Sequence, residues 1–142
     1  MREIRLYTPQ PLAIDATIEL DGVAVNHLSR VLRARAGDAV TLFNGDGTDY
    51  RGEIVDLGKR HVHVALSGGS SPNNESPIST HLGLCISKGD RFDWAIQKAT
   101  ELGVSEITPV VSERVDVKLP ADRMQKKQGH WQQVVASACE QC

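Results

Sequence analysis

The chain has 142 residues, 40% of them hydrophobic and 24% charged, with a formal net charge of −2. That profile fits a soluble globular chain of one ordinary domain or two small ones, and no apolar run reaches the roughly 20 residues a membrane-spanning helix needs. Basic and acidic groups are nearly equal in number in the first half and equal in the second, so bulk charge lends no support to nucleic-acid binding, and any such reading rests on local placement.

Met1-Arg-Glu-Ile-Arg-Leu-Tyr7 lacks the apolar core of a signal peptide, and a cytoplasmic setting is expected. Ile4–Leu6 and Thr17–Leu20 are short candidate strands. Asp21 reads as an N-cap, after which Val25, Leu28, Val31 and Leu32 recur at helical spacing up to Arg33. Ala39–Phe43 and Asp49–Val55 flank Asn44-Gly45-Asp46-Gly47, a strong hairpin signal because Asn and Gly tolerate positive φ. Lys59–Leu66 follows, with Val62, Val64 and Leu66 on one face and His61 and His63 on the other. A small barrel is the simplest way to bury these faces without open edges.

Ser67–Pro77 is the one long stretch rich in Gly, Ser and Pro, and it predicts a linker. The expected division is a barrel over residues 1–70, a linker over 71–78 and a second unit over 79–142. There the period changes. His81–Ile86 reads as a buried strand. Asp90 is the expected cap of a helix that Gly103 ends in the left-handed conformation. Phe92, Ala95, Ile96, Ala99 and Leu102 form its packing face, and Trp94, Gln97, Lys98 and Glu101 a second face. Glu106–Val111 is the next strand, and Pro120 opens a last helix with Trp131, Val134, Val135 and Ala138 as its apolar stripe. Strand-helix-strand-helix order predicts parallel pairing with right-handed crossovers, and two strands alone are too few for an independent α/β domain.

Three patterns carry little chemistry at this level. Cys139-x-x-Cys142 has no second pair or suitable histidine, and with Cys85 it completes an odd set of reduced thiols. His61 and His63 offer two metal ligands, which are too few, so a solvated face and no metal are expected. The Asn44–Asp49 run lacks the sixth-position Gly and twelfth-position Glu of a calcium loop. The bland reading of Lys98 and Glu101 is a surface ion pair, and that of Arg30, Arg33 and Arg35 is cations favoured at a helix C-terminus.

Lys88-Gly89-Asp90-Arg91, the run Gln97–Val104, Pro109, Ser112-Glu113-Arg114 and Glu140-Gln141 resemble the signature of the RsmE-type methyltransferases, as do His27-Leu28 and Val31-Leu32-Arg33. The resemblance covers the whole chain in order. It implies an α+β two-unit chain, with an RNA-binding barrel of the PUA type followed by the first part of a SPOUT domain whose trefoil knot binds S-adenosylmethionine and forms a homodimer. It further implies methylation of N3 of a uridine in 16S ribosomal RNA of the small subunit. The cofactor segments are expected beyond Cys142, leaving this chain inactive alone. Arg114, Lys98 and Glu101 are the candidates for work near the uracil. Arg5, Arg30, Arg33, Lys88, Arg91 and Lys118 are the candidate RNA contacts, which would position rather than specify. The alternative is a non-catalytic RNA-binding module acting in ribosome assembly.

Overall fold

Alternating apolar residues decide the first unit. In the computed structural model, which describes residues 4–113 and 120–142, β1 (Ile4–Tyr7), β2 (Thr17–Leu20), β3 (Ala39–Phe43), β4 (Asp49–Leu57) and β5 (Val62–Ser70) form one sheet. The strand order is β1-β3-β4-β5-β2, with β1 parallel to β3 and the other neighbours antiparallel. Leu6, Ile18, Leu42, Ile54, Val62, Val64 and Leu66 point to one core, which Val25 and Leu28 complete. Each such side chain contributes about 1.5–3 kcal/mol on burial. The order ends at β1 and β2, which are not paired with each other among the described residues. The expected barrel is therefore a five-stranded half-barrel.

Helix α1 (Gly22–Asn26) starts where Asp21 accepts the Val23 and Ala24 backbone N–H groups, at 3.1 and 3.3 Å. From His27 to Leu32 it widens into a π-helical turn, an uncommon geometry often met at functional sites. The change of pitch turns Val31 outward, to 66% exposure, against its expected place in the apolar stripe. The β3–β4 hairpin is held by side chains: Asn44 accepts the Asp46 N–H, Asp46 accepts the Thr48 N–H, and the Tyr50 hydroxyl donates to Asp46 at 2.9 Å.

The polar stretch from Ser67 does not begin as a linker. Gly68, Gly69 and Ser70 pair with Arg51, Tyr50 and Asp49, extending β5 to Ser70, because β4 offers backbone partners that far.

The chain forms two compact units, Met1–Asn73 and Asn74–Cys142. In the second, β6 (His81–Cys85) and β7 (Glu106–Val110) are parallel, with α2 (Arg91–Glu101) between them and α3 (Ala121–Cys139) after them. Ile86, Phe92, Ile96 and Trp131 make its core, and the Phe92 and Trp131 ring centroids lie 4.5 Å apart. The strands are less buried than expected. Only Leu82 and Leu84 of β6 are partly covered, and Pro109 and Val110 of β7 are exposed, because each strand has a single pairing neighbour among the described residues. Asp90 makes no side-chain cap; its carbonyl accepts the Trp94 N–H instead. Gly103 ends α2 at φ 82°, which an L side chain resists. Leu102 has left the packing face at that stop and is 85% exposed.

Candidate functional site

The predicted cations of the first unit divide by environment. Arg5 is half-buried in β1, with Nη2 3.0 Å from Asp49 Oδ1 and its guanidinium 3.9 Å above the Phe43 ring. It is engaged inside its own unit. Arg30 and Arg33 are exposed at the end of the π-helical turn. Arg33 has φ 54° and ψ 37°, the left-handed position where a helix ordinarily ends in glycine. Its N–H and that of Ala34 both donate to the Leu28 carbonyl, so the hydrogen bonds of the helix stop hold an arginine in a conformation that costs about 1–2 kcal/mol. Strain of this kind gathers at functional positions.

In the second unit, Arg91, Trp94, Lys98 and Glu101 fall three and four residues apart and share one stripe of α2. Lys98 Nζ donates to both Glu101 carboxylate oxygens, at 2.9 and 2.7 Å. Lys88 and Arg91 are exposed at the start of the helix. Trp94 is 65% exposed, a large apolar ring left in solvent beside two cations. Its place on the second face of α2 was legible from helical spacing. Arg114 and Lys118 lie outside the described residues. Glu140 ends α3, its N–H donating to the Ala136 carbonyl.

Between α2 and α3 runs a groove lined by Asp93, Trp94, Gln97, His130, Gln133 and Ser137 among others, with His130 hydrogen-bonded to Asp93. It is open to solvent and does not enclose the bulk of a ligand as cofactor pockets do.

A third cluster lies on the outer face of the first unit. Asp56, His61 and His63 each turn a ligand atom inward, all within 4.8 Å of one another. The two histidines were visible in the sequence, but Asp56 was not, because an irregularity in β4 moves it to their face. The hydrogen bond with His61 is the chief reason that the Asp56 carboxyl is held below the ordinary aspartate range.

An RNA methyltransferase domain model matches residues 74–142, and an RNA methyltransferase PUA domain model matches residues 20–67. Ribosomal RNA small subunit methyltransferase E of Buchnera aphidicola is 33% identical over 138 residues, 97% of this chain and 56% of that protein. The chain belongs with the RsmE-type RNA methyltransferases. Two solved structures agree over its whole length. A putative methyltransferase of Legionella pneumophila, in complex with bound cofactor SAM, is 39% identical with a TM-score of 0.94, covering 100% of this chain and 59% of that one. Ribosomal RNA small subunit methyltransferase E of Neisseria gonorrhoeae, bound to S-adenosyl methionine, is 38% identical with a TM-score of 0.89, covering 99% and 56%. The chain spans just over half the length of these relatives. Its first unit is a PUA-like domain and its second a methyltransferase-domain portion.

Proposed function

We propose that these residues are the RNA-holding and substrate-proximal portion of an S-adenosylmethionine-dependent enzyme that methylates N3 of a uridine in 16S ribosomal RNA of the small subunit. The observation that carries this reading is the TM-score of 0.94, over the entire chain, to a methyltransferase structure with its methyl donor bound. In this reading the donor is held by sequence that follows Cys142 in the longer relatives, inside a SPOUT knot that also forms a homodimer, and the enzyme works in the cytoplasm. The PUA-like unit corresponds to residues 1–70, the linker to 71–78 and the methyltransferase portion to 79–142.

Uracil N3 carries a proton and lies on the base-pairing edge, so the base has to leave its pair before it can react. Trp94 supplies a face on which a nucleotide can stack, and Arg91 and Lys88 supply cations for the adjoining phosphates. Arg30 and Arg33 hold a second stretch of backbone, while Arg5 braces the half-barrel that presents them, and Lys118 is a further contact. Glu101 is assigned as the acceptor of the imide proton. Lys98 then stabilises the anionic ring once Glu101 has taken that proton, and Arg114 adds a second cation. The cofactor supplies an electrophilic methyl group; the work of these side chains is orientation and proton transfer.

The test uses the complete protein, labelled S-adenosylmethionine and small subunits that lack the modification. Transfer to N3 of one uridine supports the reading. Tight, saturable RNA binding without any transfer favours the non-catalytic assembly module.

A further inference from the structure

Three adjacent strands bring four chemically paired side chains to one patch of the first unit. Along β4 and β5, Ile54 pairs with Val64, and Asp56 rather than Val55 pairs with His63. Val55 is the extra residue of a β-bulge. Without it, strict alternation would send Asp56 into the core beside Ile54; with it, Asp56 faces outward opposite His63. On the other side of β5, His63 pairs with Glu19 of β2. A row Glu19–His63–Asp56 thus crosses three strands, and His61 stands two residues from His63 on the same face.

The distances have the order expected of a ligand set. His61 Nε2 lies 2.7 Å from Asp56 Oδ2, and His63 Nδ1 lies 3.6 Å from the same oxygen. The imidazole centroids are 5.1 Å apart and tilted by 54°, so the rings converge without stacking. Ligands on one tetrahedral zinc, at bond lengths of about 2.0–2.2 Å, stand about 3.3 Å from each other. The measured pair brackets that value. The second nitrogen of His63 faces Glu19 Oε2 at 3.7 Å, the side from which a carboxylate orients a metal-bound imidazole. His61 is seated by Gly58: a Cβ there would fall 2.6 Å from the His61 ring, and the turn is closed by the Gly58 N–H donating to the His61 carbonyl at 2.9 Å.

We propose that Asp56, His61 and His63 form a zinc-class metal site, with Glu19 orienting His63, that fastens β2, β4 and β5 on the outer face of the half-barrel. Two imidazoles and one carboxylate suit a borderline-soft divalent ion, and a water completes the coordination. All four side chains are reachable from solvent, so the ion enters without unfolding. The ligands all belong to the first unit, and binding needs no cofactor or RNA.

The test is a zinc chloride titration of the chelator-treated chain carrying Cys85→Ser, Cys139→Ser and Cys142→Ser, which removes thiolate competition. Heat and imidazole nitrogen-15 resonances are recorded together. One equivalent is expected to bind, moving the resonances of His61 and His63 while those of His27, His81 and His130 stay in place. His63→Gln and Asp56→Asn are expected to weaken binding at least tenfold. Gly58→Ala, which keeps every ligand but displaces the His61 ring, is expected to do the same at unchanged circular dichroism. Zinc that moves all five histidines alike, no saturable binding by the parent, or parent-level affinity in Gly58→Ala or His63→Gln would overturn the proposal.

Discussion

Lys98 donates to both carboxylate oxygens of Glu101, at 2.9 and 2.7 Å, one turn apart on the exposed stripe of α2. An exposed pair at this spacing contributes well under about 1 kcal/mol to the fold. Lys98→Ala is therefore expected to leave urea unfolding within about 0.5 kcal/mol of the parent. In the complete enzyme it should slow single-turnover methylation by about 100-fold, the lower range for a group acting on a transferred proton or its anion. Unchanged turnover in a folded variant would remove Lys98 from the chemistry.

Arg33 sits in a left-handed conformation that glycine adopts freely. Arg33→Gly should raise unfolding free energy by up to about 1 kcal/mol while weakening binding to small-subunit RNA. The slope of binding against salt should fall by about one, as expected for a lost phosphate contact. Equilibrium unfolding and fluorescence anisotropy measure the two effects. An unchanged salt slope would make Arg33 a structural residue only.

Arg5 behaves in the opposite way. Its contacts to Asp49 and Phe43 lie within the half-barrel, so Arg5→Ala is expected to destabilise the first unit by about 1–2 kcal/mol. Arg5→Lys should recover only part of this, because an ammonium cannot lie flat on the ring while bonding the carboxylate. Thermal unfolding decides; a stability-neutral Arg5→Ala would contradict the assignment.

The β3–β4 hairpin carries its own pH dependence. Asp46 is held below the ordinary aspartate range, chiefly by the Tyr50 hydroxyl and next by the Thr48 backbone N–H. Its contribution is present above the unfolded-state pKa and is lost as pH falls through the lower folded value. Tyr50 is raised, chiefly because its hydroxyl donates to Asp46, so its contribution is complete below the ordinary tyrosine value and is lost as pH rises through the folded one. Tyr50→Phe should move the Asp46 titration back upward in carbon-13 NMR. An Asp46 curve that does not move would break the link.

Local signals were legible where one residue type has one physical use. Asp21 caps α1, Asn44–Gly47 turn the hairpin, Gly103 stops α2, and Val62, Val64 and Leu66 enter the core. What stayed hidden depends on partners remote in sequence. The π-helical turn exposes Val31, and the bulge at Val55 brings Asp56 to His63, yet neither follows from periodicity, since each breaks the period. Gly68 and Gly69 have linker composition, but β4 recruits them as strand. The Lys98–Glu101 pair and the place of Trp94 on the second face of α2 could be read from helical spacing, whereas the packing of Phe92 on Trp131 of α3 could not.

The most direct test is mass spectrometry of small-subunit ribosomal RNA after reaction with the complete protein and labelled S-adenosylmethionine. The account predicts a single added methyl group on N3 of one uridine, arriving about 100-fold more slowly in Lys98→Ala. A folded, RNA-binding protein that leaves the RNA unlabelled, or that places the methyl on a ribose or another base atom, would contradict it.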